Sequence, residues 1–283
     1  MNLTAWKLFA VTALLGSAAA ACFAADNTRT IYLHAHRGEP SMAPENTVES
    51  LKLAFELGSR MVETDFWLSK DGTMVCLHGR REAKKLWGID KSPSELTLEE
   101  IKKSELKDPS KYAEKYAKCK IPDIDDVFAA IPAGKLVELE IKGYGESFAR
   151  NVDEARKRAG MSVKQFVITS FNTSYIKDFK SKYPEYRTAY ITSMKKGDKR
   201  KAKDIIVKAK EAGASEVAIG NYRNIDRDFV KQIQQSGLEV GVWQVENLDD
   251  LAYASFLGVN RICSNYACKL RKQYRAIKNL DMQ

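Results

Sequence analysis

All three histidines of this chain, His34, His36 and His78, fall within residues 34–78, and Glu63 and Asp65 stand between them as E-T-D. Histidine is the side chain best suited to moving protons near neutral pH. An E-x-D pair in a strand puts two hard carboxylate oxygens on one face. Farther along, L-V-E-L-E-I-K (136–142) alternates so that Glu138, Glu140 and Lys142 share a face, with Leu139 and Ile141 on the other. A buried carboxylate is costly unless it is paired or bound to a cation. Sharing one divalent ion, Ca2+ or Mg2+, among Glu63, Asp65 and Glu140 would remove that cost. The chemistry these residue types suit is therefore metal-assisted acid–base work. No C-x-x-C or Cys/His cluster points to zinc, and no G-x-S-x-G elbow points to a serine nucleophile.

Such groups must be held by regular elements, and the chain supplies them in alternation. Strands are expected over 31–36, 61–68, 73–78, 136–141, 166–170, 187–191, 216–219, 239–245 and 260–263. Between most of them run amphipathic stretches over 123–131, 148–159, 173–182, 198–212, 227–235 and 248–256, with Gly58, Gly160, Gly213, Gly237 and Gly258 at the joints. Another helix carries Leu51, Leu53, Ala54 and Leu57, with Asn46 or Thr47 as its cap. Roughly eight strand–helix units in about 250 residues indicate a (β/α)8 barrel of the TIM type, in which chemistry sits at the C-terminal ends of the strands. No G-x-G-x-x-G or P-loop pattern competes with that reading. Residues 79–122 break the alternation as an insertion after the third strand, with short helices expected around Leu98–Leu106 and over 111–120. A K-D-G turn centred between Asp71 and Gly72 would set Asp65 directly opposite His78 in a hairpin, on the same face.

Residues 1–24 have the form of an export signal: Lys7, then the apolar run Leu8–Ala21, too short to span a bilayer comfortably, then small residues. Acylation at Cys22 is the weaker alternative, because Ala19-Ala20-Ala21 lacks the usual leucine. The mature chain, from about residue 25 to 283, is expected in the periplasm or outside the cell. It keeps Cys76, Cys119, Cys263 and Cys268, which could be paired or free. The net charge of +9 fits an anionic substrate or proximity to a membrane surface; no nucleic-acid motif accompanies it. Its basic runs, Lys195–Lys210 and Lys269–Lys278, read as helices with solvated faces.

His36-Arg37-Gly38, Ala43-Pro44-Glu45-Asn46-Thr47, Glu63-Thr64-Asp65, Lys70-Asp71-Gly72 with His78, Glu140-Ile141-Lys142 and Val242-Trp243-Gln244-Val245 follow one another in an order that resembles the glycerophosphodiester phosphodiesterase family. The resemblance covers about residues 32–266. It implies a (β/α)8 barrel with one bound divalent ion and a lid-like insertion, hydrolysing a glycerophosphodiester to glycerol 3-phosphate and an alcohol. It further implies that His36 and His78 are the acid–base pair, that Arg37 and Lys142 hold the phosphate, and that Trp243 lines the pocket. Glu63, Asp65 and Glu140 would ligate the ion, and Glu45 would support the ion or the first loop. Two positions depart from the pattern: Gly79 follows the second histidine where aspartate is usual, and the last strand ends in Ser264-Asn265 instead of Thr-Asp. Two other readings remain. One is a phospholipase D-like relative acting on sphingomyelin or lysophospholipid, favoured by membrane-facing apolar residues in the insertion. The other is a non-catalytic phosphodiester-binding barrel.

Overall fold

β-Branched runs alternating with amphipathic stretches close into a (β/α)8 barrel in the computed structural model, which describes residues 31–280. The expected export signal lies outside the described residues. The barrel strands are β1 (Tyr32–His36), β2 (Met61–Leu68), β4 (Leu136–Ile141), β5 (Phe166–Ser170), β6 (Arg187–Ser193), β7 (Glu216–Gly220), β8 (Glu239–Trp243) and β9 (Arg261–Ser264). They pair in parallel from neighbour to neighbour, and β1 closes the ring by pairing with both β2 and β9. Around them lie α1 (Val48–Glu56), α4 (Ile124–Ala129), α5 (Phe148–Arg158), α6 (Thr173–Lys182), α7 (Ala202–Glu211), α8 (Arg227–Gln235), α9 (Leu248–Leu257) and α10 (Ala267–Leu280).

The apolar core is the shell between strands and helices, not the lumen. On β4, Val137, Leu139 and Ile141 point out to meet Phe148 and Val152 of α5, while Glu138 and Glu140 are buried on the inner face. A second cluster joins Val217 and Ile219 of β7 and Val240 and Val242 of β8 to Ile205, Val230 and Leu251 of α7, α8 and α9. The parallel strands are thus apolar outward; inward, β2 and β4 carry Glu63, Asp65, Glu138 and Glu140, and Met61, Val167 and Ala189 form a small apolar cluster of their own.

The third expected strand is shorter, and it is not a barrel strand. β3 (Met74–Cys76) runs antiparallel to β2 as a spur, with Phe66 opposite Cys76 and Leu68 opposite Met74. The Leu77 amide donates to the Asp65 carbonyl at 3.1 Å, so Leu77 and not His78 faces Asp65. The expected register is one residue out. Ser69 is the cause: its amide donates to the Thr73 carbonyl at 2.8 Å and its Oγ accepts from the Thr73 amide, which leaves a three-residue loop of Lys70, Asp71 and Gly72 where a symmetric tip was expected.

The insertion is better packed than its polarity suggests. Helices α2 (Arg80–Trp87) and α3 (Leu98–Lys102) and short 3-10 turns enclose Trp87, Ile101, Leu106, Tyr116 and Ile121 against Val75 and Leu77 of the hairpin. No helix forms over 111–120; 3-10 turns at Pro109–Lys111 and Glu114–Tyr116 take its place, with Tyr116 and Cys119 buried in the core of the insertion. The first basic run is also only partly helical. Residues 195–201 form a loop after β6, where Asp198 accepts from both the amide and the guanidinium of Arg200, and Arg200 reaches back to Thr192 Oγ1 at 2.8 Å. Cys76, Cys119, Cys263 and Cys268 are all free thiols.

The loop from β1 into α1 sets the catalytic end of the barrel. Thr47 caps α1, its Oγ1 accepting from the Ser50 amide, while Arg37, Gly38 and Asn46 all take positive φ. A Cβ on Gly38 would stand 2.4–2.7 Å from the side chain and backbone of Ser50. Gly38→Ala therefore has to displace α1 as well as strain a left-handed residue, and is expected to destabilise the protein by about 2–4 kcal/mol. Urea unfolding checks this; a midpoint equal to that of the parent chain would show that the contact is relieved without cost.

Candidate active site

Strand register assembles an acidic cluster. On the paired β2 and β4, Glu63 lies opposite Glu138 and Asp65 opposite Glu140, all facing the lumen. One carboxylate oxygen from each of Glu63, Asp65 and Glu140 lies within 4.8 Å of the others, and all three residues are buried. Asp65 is oriented through one oxygen: its Oδ2 accepts from Asn46 Nδ2 at 2.8 Å and pairs with Arg37 Nε at 3.1 Å. Glu63 Oε1, Asp65 Oδ1 and Glu140 Oε1 accept no hydrogen bond. The Lys142 ammonium stands 3.3 Å from Asp65 Oδ1 and 2.6 Å from Glu140 Oε1, close enough for ion pairs but not aligned as hydrogen bonds. Three buried carboxylates with converging oxygens, offset at Asp65 Oδ1 and Glu140 Oε1 only by Lys142, fit a hard divalent cation.

The protonation of the cluster reports the same crowding. Burial, then the charges of Asp65 and Glu140, push Glu63 well above the usual carboxylate range. Burial and Asp65 push Glu140 up to about 7. Burial alone would raise Asp65 too, but the cations Lys142 and Arg37 beside it hold it well below that range.

Two of the histidines meet this cluster. His36 ends β1 opposite Glu63, with Nε2 3.7 Å from Glu63 Oε2 and Nδ1 2.7 Å from Asn265 Oδ1. Burial, and then the adjacent Arg37 charge, push it down to about 3, so its imidazole is neutral. With an amide oxygen at Nδ1, the proton sits there and Nε2 keeps its lone pair. Arg37 lines the wall: its amide donates to Glu63 Oε2 at 3.0 Å and its Nη1 to Glu45 Oε1 at 3.0 Å. Glu45 thus holds Arg37, supporting the first loop.

His78 arrives from outside the barrel. It follows β3, and Trp67 of β2 donates from Nε1 to its carbonyl at 3.2 Å. Its Nδ1 lies 2.9 Å from Glu82 Oε2 on α2. His36, His78, Arg37, Lys142 and Trp243 all line one cavity of about 240 Å³, floored by Glu63 and Glu140. The Trp243 indole lies across β7 because Gly220 has no side chain, and it meets Phe171 edge to face at 5.6 Å. A larger groove of about 680 Å³ lies beside α6 and α7; it contains none of the histidines and none of Glu63, Asp65 and Glu140, and shares only Phe171 with the cavity.

Several groups escape a reading by residue type. Asn46, expected as a helix cap, is instead the buried brace of β2: its Oδ1 accepts from Thr64 Oγ1 and the Asp65 amide. Asn265 holds His36, and Glu82 holds His78; the second was discoverable, since it stands four residues after the histidine at a helix start. His34 belongs to a deeper tier. Its Nε2 lies 2.9 Å from Glu138 Oε2, which also accepts from Arg261 Nη1 at 3.0 Å, while Arg261 Nη2 reaches Glu216 Oε1 at 2.5 Å.

Comparison with known proteins agrees with this geometry. The sequence pattern of the glycerophosphoryl diester phosphodiesterase family matches residues 36–268. A glycerophosphodiester phosphodiesterase of Caldanaerobacter subterraneus is 29% identical over 240 residues, 82% of this chain and 92% of its own. One from Bacillus subtilis is 23% identical over 82% of both chains. Among solved structures, an Oleispira antarctica phosphodiesterase in complex with the product sn-glycerol-3-phosphate superposes with a TM-score of 0.75 at 22% identity, covering 86% of this chain and 96% of that one. The glycerophosphodiester phosphodiesterase of Thermotoga maritima gives 0.69 at 20% identity, over 87% of this chain and 100% of its own. With that family's pattern running through nearly all of a barrel that gathers histidines, cations and an acidic cluster in one cavity, the chain belongs to the glycerophosphoryl diester phosphodiesterase family and is a phosphoric diester hydrolase.

Proposed function

We propose that the protein hydrolyses glycerophosphodiesters to sn-glycerol 3-phosphate and an alcohol, with His36 and His78 carrying the protons and Glu63, Asp65 and Glu140 holding a Ca2+ or Mg2+ ion. The observation that carries the reading is the meeting of His36 and His78, the cations Arg37 and Lys142, and the carboxylates of Glu63 and Glu140 in one cavity, with Asp65 completing the buried acidic cluster. The related Oleispira antarctica phosphodiesterase, solved with sn-glycerol-3-phosphate, supports the product.

The roles follow from the residues. Arg37 has Nε and Nη1 committed to Asp65 and Glu45, leaving Nη2 for a phosphoryl oxygen, with Lys142 as a second cation. A divalent ion on the three carboxylates would neutralise charge developing on the phosphoryl group. One histidine takes the proton of the attacking hydroxyl as the new P–O bond forms. The other gives a proton to the departing alcohol oxygen as the old bond breaks. The wall of Trp243, Phe171 and Ile191 is apolar and suits the carbon skeleton of the substrate. Nothing in the insertion favours a lipid substrate: Trp87 is buried, and none of the exposed large apolar side chains among the described residues falls within 79–122. Export, with removal of residues 1–24, completes the proposal and rests on the N-terminal pattern.

His36→Ala and His78→Ala are each expected to lower turnover of glycerophosphocholine by at least about 10²-fold with the fold intact; near-parental activity in either variant would end that residue's assignment. Excess EDTA should silence the enzyme. Calorimetry should show Ca2+ or Mg2+ binding one site that Glu63→Gln or Glu140→Gln weakens, and full turnover under chelation would dismiss the ion. N-terminal sequencing of the exported protein should begin near Ala25; a chain still starting at Met1 would dismiss cleavage.

A further inference from the structure

We propose that Glu82 is the positioning residue of His78, fixing the ring so that Nε2 faces the cavity. This rests on the reading of His78 as an acid–base group. His78 lies beyond β3 and outside the barrel ladder, so no strand register fixes its side chain. One contact holds its backbone and one its ring. The Trp67 indole holds its carbonyl at 3.2 Å, and the Glu82 carboxylate meets its Nδ1 at 2.9 Å. Gly79, next in the chain, has no side chain that could serve.

Glu82 is built for the task. It sits in the first turn of α2, where the helix dipole favours a carboxylate, and it stands one helical turn beyond His78. Its two oxygens are divided: Oε2 meets His78, and Oε1 accepts from Nε and Nη2 of Arg81 at 2.9 and 2.8 Å. Its side chain is 14% exposed, where that of Arg81 is 90% exposed. Burial alone would raise Glu82, but the close contact with His78 and the hydrogen bonds from Arg81 pull it down to about 2, so it stays a carboxylate. A carboxylate at Nδ1 selects the Nδ1–H tautomer, leaves the Nε2 lone pair toward the cavity and stabilises the imidazolium when the ring takes a proton. The packed insertion holds Glu82 in place: Ala83 and Trp87, on the same helix, are part of its core.

An ordinary helix-surface ion pair would contribute little to stability and nothing to turnover. The two roles therefore separate experimentally. With three histidines in the chain, long-range ¹H–¹⁵N spectra of the full protein can be assigned by comparison with His78→Ala. The expected wild-type pattern for His78 is the Nδ1–H tautomer. Glu82→Ala should lose that preference and lower kcat about 10²-fold with KM nearly unchanged. Glu82→Gln, which keeps an acceptor oxygen but no charge, should retain the tautomer and fall between the two in kcat. An unchanged His78 tautomer in Glu82→Ala, or a kcat within about twofold of the parent, overturns the positioning role. If His78→Ala is inactive in the same assay, the proposed reaction survives that result. If His78→Ala is active, both readings fall together.

Discussion

Five carboxylates, those of Glu63, Asp65, Glu138, Glu140 and Glu216, are buried inside this barrel, against the cationic side chains of Arg37, Lys142 and Arg261. His34 adds no compensating charge, because burial drives its imidazole toward the neutral form. Fully ionised, the lumen would hold an excess of two negative charges, and each uncompensated buried ion costs several kcal/mol. The excess is met in two ways. In the deeper tier, burial and the neighbouring Glu138 push Glu216 up to about 7, while Arg261 and His34 hold Glu138 down to about 2, against its own burial. In the upper tier, Glu63 and Glu140 are both raised and three oxygens stay without hydrogen bonds. A divalent cation held as proposed would cancel that excess without protonating a carboxylate.

This constraint explains why so much of the chain around the site is bracing. Asn46 spends a left-handed backbone to orient Asp65, and Glu45 and Asp65 together pin Arg37. Gly38 and Gly220 are placed where a side chain would collide with Ser50 and Trp243 respectively. The barrel contributes the acidic cluster, His36 and Lys142 from its own strands. The deeper tier ties β1, β4, β7 and β9 together under them through Arg261, which bridges Glu138 and Glu216, and through His34 beside Glu138.

What could be read in the sequence was whatever follows from a fixed period. Glu63 with Asp65, and Glu138 with Glu140 and Lys142, announce themselves because charged residues at every second position of a strand must share a face. The barrel follows from the strand–helix alternation, and the ordered motifs around these residues carried the family. Position beyond a period was harder. The hairpin register failed by one residue because Ser69 closes the ladder with its side chain, a contact that no alternation encodes. The core of the insertion was hidden because Trp87, Ile101, Leu106 and Tyr116 come from separate short helices and turns with no common spacing. Asn46 looked like a cap because its neighbour Thr47 is one.

The failed register has a consequence for how the site is built. A strict hairpin would have delivered His78 on the same rigid ladder as Asp65, and the whole site would then be barrel. Instead Leu77 takes the place opposite Asp65 and packs into the core of the insertion, while His78 is carried over the cavity between Trp67 of the barrel and Glu82 of the insertion. The acidic cluster and His36 depend on strand pairing. His78 depends on how the insertion packs against β2 and β3. The two halves of the proposed proton relay therefore rest on different parts of the fold, and the insertion is a structural partner in the site and more than a cover for it.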